Sequence, residues 1–367
     1  MFLESIQLMN FKNYEELEMS FSKDINCVVG PNGVGKTNLL DAVYYLCMTK
    51  SAFPGTEQLN IKHEEQFFLN KGSFQYDDET EYIVQCAYKK GDKKSVKLNK
   101  KEYEKLSQHI GRFPCVLMTP YDTDLVREGS ESRRKFFDNT LSQTDSAYLD
   151  ALIQYNHFLK QRNNLLKQFA EKRFTDKALL ETYNSMMCPH AKIIHQKRSA
   201  FIDQFNPLFL RYYTQLGESK EAMSIAYKSS LSGAEYEEVL KVNLHKDLAL
   251  QRTCEGIHKD DFIFSMGEFP LKKMGSQGQQ KSFVIALKLA QYEWIAKNKG
   301  LKAILLLDDI FDKLDDNRIA HLLNILAEGN FGQIFISDAR PERSEKLLDK
   351  IGREVKFFNI DSILNKY

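Results

Sequence analysis

No two of the six cysteines, Cys27, Cys47, Cys86, Cys115, Cys188 and Cys254, stand at C-x-x-C spacing in this 367-residue chain. That scatter argues against a zinc site or a disulfide frame and for reduced thiols in a reducing compartment. Long apolar runs are missing too. No stretch approaches the roughly 20 apolar residues of a membrane helix, and the opening MFLESIQLMNF carries neither a basic n-region nor an apolar h-region. A cytoplasmic protein with no membrane partner is expected. Charge of one sign is scarce, because 51 basic residues face 50 acidic ones for a formal net charge of +1. Any hold on a polyanion must therefore come from local patches. What is present is 43% hydrophobic residues, enough for a substantial core and, at this length, for two domains.

The most informative stretch is VVGPNGVGKTNLLDAV, residues 28–43. Before it, Ile6 and Leu8, then Leu17, Met19 and Phe21, alternate with polar residues as half-buried strands do, and INCVV (Ile25 to Val29) reads as a strand covered on both faces. After it, Leu39, Leu40, Val43, Tyr44 and Leu46 fall at helical spacing. The connection Gly30, Pro31, Asn32, Gly33, Val34, Gly35, Lys36, Thr37 fits G-x-x-x-x-G-K-[ST] and runs on into Asn38. Glycines let the backbone N–H groups ring a phosphate, and the helix turns its positive end to the same anion. Lys36 is placed to reach the β- and γ-phosphates of ATP, and Thr37 to put its hydroxyl on Mg²⁺.

Such a cradle needs a carboxylate on a neighbouring strand, and LKAILLLDDIFDKLD near the far end supplies one. Ala303 to Leu307 reads as a buried strand ending in Asp308, the expected Mg²⁺ holder, and Asp309, placed to polarise the attacking water. About 30 residues upstream, MGSQGQQ precedes a helix expected from Ser282 to about Lys297. Its Ser276, Gly278 and Gln279 resemble the signature motif of ABC-type ATPases, with Gln277 in place of a glycine. In that superfamily the signature serine meets the γ-phosphate held by the opposite subunit, which implies two heads clamping two ATP molecules.

The motifs at both ends predict a discontinuous α/β ATPase head: residues 1–131 with Walker A and a basic hairpin, a helical insert over 132–246, and 247–367 with signature and Walker B. Pro189 and Pro207 are expected to break or start helices in the insert, with Asn206 as a cap. SMC-type proteins share the motifs but insert hundreds of residues. Here about 115 residues folded back would reach at most on the order of 85 Å, so a long-armed SMC or RecN is disfavoured. Around a Gly91-Asp92 turn, Lys89, Lys90, Lys93, Lys94, Lys97, Lys100, Lys101 and Lys105 against three acidic residues leave a tract at +5. A second cluster joins Lys160, Arg162, Lys167, Lys172 and Arg173. Each reads either as a solvated face or as a contact to DNA phosphates.

Several segments together resemble the RecF family: LESIQLMNFKNY, GPNGVGKTNLLDAV, TPYDTDLVREGSESRRKFFDN, YNHFLKQRNNLLK, GIHKDDFIF, MGSQGQQKS and LLLDDIFDKLD, nearly the whole chain. The resemblance implies a cytoplasmic ABC-type ATPase that dimerises with ATP, binds duplex DNA near gaps, and with RecR and RecO helps load the RecA recombinase. The chain departs from the family at Ile257 (proline) and Met274 (leucine), and Ala339 takes the place of the ABC switch histidine. With Asp309 in place of the transporters' glutamate, this implies slow, DNA-stimulated hydrolysis used as a timer. His258 is a candidate substitute sensor. The alternatives are an ATP-gated scaffold or SMC-like ATPase acting on another partner; a transporter ATPase fits neither Ala339 nor the basic hairpin.

Overall fold

Period-two patterning at the amino terminus becomes a pair of antiparallel strands, β1 (Phe2–Phe11) and β2 (Tyr14–Ser20), with Ile6, Leu8, Leu17 and Met19 turned inward. In the computed structural model, which describes residues 1–172, 174–217, 222–328 and 331–364, these strands belong to a six-stranded antiparallel sheet. Its order is β2-β1-β4-β5-β6-β7, where β4 is Phe67–Gln75, β5 Glu81–Lys89, β6 Ser95–Leu98 and β7 Lys101–Glu102. The expected hairpin is the β5–β6 pair, with Gly91 at φ 88° in its turn.

The apolar runs form a second, all-parallel sheet: β3 (Ile25–Val29), β8 (Cys115–Met118), β12 (Ile304–Asp308), β13 (Ile334–Asp338) and β14 (Val355–Asn359), in the order β14-β3-β13-β12-β8. The helix Lys36–Met48 packs against strands of both sheets, and 10 of its 13 residues are buried. A helix covered on two sides needs no polar face, which is why its apolar residues are not confined to one stripe. The crevice outside the carboxyl ends of parallel strands is where such sheets hold ligands. Here those ends carry Val29, Asp308 and Asp338.

Contacts divide the chain into one unit of residues 1–123, 212–218 and 281–367 and another of 124–211 and 219–280. The second unit is larger than the insert expected over 132–246, and it contains the signature loop, which the sequence assigned to the carboxyl-terminal part of the head. The reason is a three-stranded sheet, β11-β10-β9, made of β9 (Met223–Lys228), β10 (Asp261–Met266) and β11 (Phe269–Pro270). Strand β9 pairs with β10 across more than thirty intervening residues and so draws the later segment into this unit. The prolines also behave differently from expectation. Pro189 and Pro207 both lie inside one 39-residue helix, Lys177–Gln215. Buried Met187, Ala191 and Ile194 flank the first, and Phe205 and Phe209 the second; this packing outweighs a cost of roughly 3 kcal/mol per interior proline. Asn206 caps nothing, its amide instead bridging both backbone groups of Ile225. No helix of the described residues is long and apolar enough to cross a membrane.

Candidate functional site

The turn from β3 into the helix Lys36–Met48 passes through Gly33 at φ 85° and Gly35 at φ 112°, conformations that favour glycine. A Cβ on Gly35 would stand 2.4 Å from the Asn13 amide. Lys36 is 4% exposed, and its ammonium donates to the carbonyls of Gly30 at 2.8 Å and Pro31 at 3.0 Å. Pro31, Asn32 and Gly33 are exposed and Val34 half-buried, so the loop presents its backbone outward around a buried cation.

Next to Lys36, the Thr37 hydroxyl donates to Asp308, with Oδ1 and Oδ2 at 2.9 and 3.0 Å. These two residues are 271 positions apart in sequence. Asp308 is nearly buried, and burial raises its pKa, opposed by the hydroxyls of Ser337 and Thr37 and by the Lys36 charge. A hydroxyl and a carboxylate side by side are hard oxygen donors, which suit a hard cation whose other ligands are phosphates and water. The site therefore fits Mg²⁺-nucleotide. Asp309 follows in the left-handed region (φ 45°, ψ 33°), and Ser337 accepts its N–H.

Three residues of the FKNY segment, whose role here is not evident from the residues themselves, brace this loop and the helix that follows it. Lys12 pairs with buried Asp41, which also accepts from Ser51 and the Ala52 N–H. Asn13 donates to the Val34 carbonyl and accepts from Asn38. Tyr14 donates to the Gly35 carbonyl at 2.8 Å. Asn38 thus spends its side-chain amide on the loop's own support.

The signature loop closes the second unit and opens the helix Gln277–Lys299, whose residues from 281 onward belong to the first unit. The Gln279 N–H donates to the Ser276 hydroxyl at 3.2 Å, and the Ser276 N–H to the Gln279 side-chain oxygen at 2.7 Å, a reciprocal capping box. Ser276 is thus fixed at a helix N-terminus, where an anion is favoured. Gly278 lies in the first turn.

The family model of the RecF/RecN/SMC N-terminal domain matches residues 2–356. The DNA replication and repair protein RecF of Cytophaga hutchinsonii is 50% identical over 361 residues, which cover 98% of this chain and 95% of that one. The chain belongs to the RecF family. RecF of Flavobacterium johnsoniae is 47% identical over 360 residues, covering 98% of this chain and all of its own. A solved structure titled as the recombination mediator protein RecF-ATPrS in the RecFOR pathway superposes with a TM-score of 0.87 at 28% identity, over 98% of this chain and 96% of that one. The Smc head domain of Pyrococcus furiosus, at TM-score 0.56 and 17% identity, covers 98% of this chain and 94% of its own and shares the fold. The fold is the α/β ABC-type ATPase head expected from the motifs. RecF-family proteins are ATP-binding ATPases of DNA replication and repair.

Two residues expected to meet DNA are otherwise engaged. Arg162 is fully buried, donating to Asp247 at 2.8 Å, Asn184 at 2.8 Å and Thr253 at 2.7 Å. An arginine that is so paired and desolvated serves the interior of the helical unit. Lys94 has a side chain only 16% exposed; it pairs with Glu57 and donates to the carbonyl of Thr49, the residue whose N–H caps the phosphate-loop helix by donating to the Tyr45 carbonyl. Lys97 is half-buried and lies opposite Glu102. Lys89, Lys90, Lys93 and Lys160 are exposed, and Arg173 lies outside the described residues.

The RecF-like segment GIHKDDF is also structural. Arg198, fully buried, pairs with Asp260 at 2.9 Å and Asp138 at 2.8 Å and donates to the Ile257 carbonyl. His258 uses both ring nitrogens, Nδ1 with the Tyr155 hydroxyl at 2.7 Å and Nε2 with the Thr253 carbonyl at 3.0 Å, which makes it a packed histidine of this unit. Its pKa is pulled down to about 4 by burial, the Thr253 bond opposing. Because the folded value lies below the unfolded one near 6.5, the neutral ring stabilises the fold above that pH, and this is lost as pH falls through 4. This contributes up to about 3 kcal/mol. The urea midpoint should fall between pH 7 and pH 4, and His258→Gln should make that fall shallower; equal slopes would rule out the assignment.

Proposed function

We propose that this chain is an ATP-dependent DNA-binding protein of recombinational repair and replication restart. It dimerises on ATP, clamps duplex DNA near single-strand gaps, and with RecR and RecO assists RecA loading in the cytoplasm. The observation that carries the reading is the Thr37–Asp308 contact at 2.9 Å, which joins the two nucleotide motifs from opposite ends of the chain. Bound Mg²⁺ would stabilise negative charge on the phosphates. The chain's own part is as follows: Gly30 to Asn38 bind the phosphates, Lys36 leaves its carbonyl partners for the β- and γ-phosphates, Thr37 and Asp308 hold the cation, and Asp309 orients the attacking water. Ser276, Gly278 and Gln279 close on the nucleotide of a second copy. Asp309 and Ala339 in place of the usual glutamate and histidine support slow hydrolysis that resets the clamp.

Sedimentation with and without ATP, repeated with gapped duplex DNA, tests the reading: a dimer that forms with ATP and persists on DNA is expected, and a monomer under all conditions would refute it. For DNA contact the exposed lysines are the relevant ones. Replacing Lys89, Lys90 and Lys93 by glutamine should flatten the slope of log affinity against log salt by up to about 2–3 units, at roughly 0.9 per neutralised phosphate. ATP binding should be unchanged. Lys94→Gln alone should leave the salt slope as it is. A triple variant with the parent's affinity and slope assigns the hairpin to solvation and moves the contact to Lys160.

A further inference from the structure

Ser337 is the penultimate residue of β13 in the middle of the parallel sheet, in register with Asp308 of β12 on one side and Val28 of β3 on the other, and is fully buried. Its hydroxyl oxygen lies 2.7 Å from Asp308 Oδ1 and 3.0 Å from the Asp309 backbone nitrogen. A carboxylate only accepts and an N–H only donates, so the assignment is forced: the hydroxyl gives its proton to Asp308 and takes the Asp309 N–H on a lone pair. One atom group thus ties the side chain of the first aspartate to the backbone of the second. The second tie matters because Asp309 sits at φ 45°, ψ 33°, a left-handed conformation that costs a non-glycine residue on the order of 1–2 kcal/mol and persists only where its surroundings hold it.

We propose that Ser337 is a positioning residue of the nucleotide site, holding the Asp308 carboxylate and the Asp309 turn as one unit so that the cation-holding and water-orienting groups keep a fixed spacing. The inference rests on the roles proposed above for those two aspartates. It makes a chemical demand on position 337, namely a short side chain that donates and accepts at once. Serine and threonine meet it, alanine does neither, and cysteine fills the volume with a weak donor and a weak acceptor.

The test compares Ser337→Ala, Ser337→Thr and Ser337→Cys with the parent. Mn²⁺ binding is followed by electron paramagnetic resonance in the presence of a non-hydrolysable ATP analogue, alongside metal-free analogue affinity, kcat and KM. Ser337→Ala should weaken Mn²⁺ binding and lower kcat, each by about 10-fold or more, as loss of an outer partner of a metal ligand does. Metal-free analogue affinity and KM should stay within about threefold, since the phosphate loop is untouched. Ser337→Thr should restore both losses. If Ser337→Ala does not fold, Ser337→Cys carries the same comparison at nearly constant volume. Parent-like Mn²⁺ affinity and kcat in the alanine variant, or a threonine variant as impaired as alanine, would overturn the proposal. A parent without any analogue-dependent Mn²⁺ signal would overturn the site reading itself, and this inference with it.

Discussion

Lys36→Ala should lose about 100-fold or more in ATP affinity. Lys36 is 4% exposed, and its ammonium is held between two neutral carbonyls, those of Gly30 and Pro31, at the floor of the loop. Hydrogen bonds to charged groups contribute about 1.5–3 kcal/mol each, so two such bonds to phosphate oxygens amount to roughly 3–4 kcal/mol or more, a factor of at least about 100. The fold should tolerate the change. The two hydrogen bonds it gives up end on neutral carbonyls, and the helix that follows stays packed through Leu39, Leu40, Val43 and Leu46. Equilibrium titration with a fluorescent ATP analogue gives the affinity, and the thermal midpoint shows whether folding is intact. A folded variant with unchanged affinity would falsify the phosphate-loop assignment.

Ser276→Arg should separate binding from assembly. If Ser276 serves the nucleotide of a second copy, a bulky cation there blocks closure while leaving the phosphate loop of its own chain intact. Loss of the capping box should cost about 1 kcal/mol, too little to unfold the unit. ATP affinity of the monomer is expected within about threefold of the parent, with the ATP-dependent dimer absent at concentrations where the parent is fully dimeric and turnover lost with it. Ser276→Thr, which keeps both hydroxyl and cap, should dimerise. Sedimentation velocity with ATP decides, and normal dimerisation of the arginine variant would remove the signature role from residues 275–279.

Local patterns specify local geometry, and that part was legible in the sequence. The octet from Gly30 to Thr37 demands positive backbone angles that glycine supplies, and the short apolar runs at 25–29 and 303–307 have the length and composition of strands buried on both faces. The β5–β6 hairpin follows from an equally short signal, whereas the helix expected from Ser282 begins at Gln277, because the Ser276–Gln279 capping box starts it inside the signature itself. What sequence could not assign is where long side chains end up. Arg162 and Lys94 read as free cations because their partners, Asp247 and Glu57, are 85 and 37 residues away. Burial and pairing are properties of the assembled interior, where a charge is either matched or excluded. Pro189 and Pro207 were overruled for the same reason, since interior packing on both sides of a helix exceeds a local propensity. Ser337 has no motif at all. Only the parallel register of β13 with β12 sets its hydroxyl between the two aspartates, a coincidence of two strands that no single stretch of sequence contains.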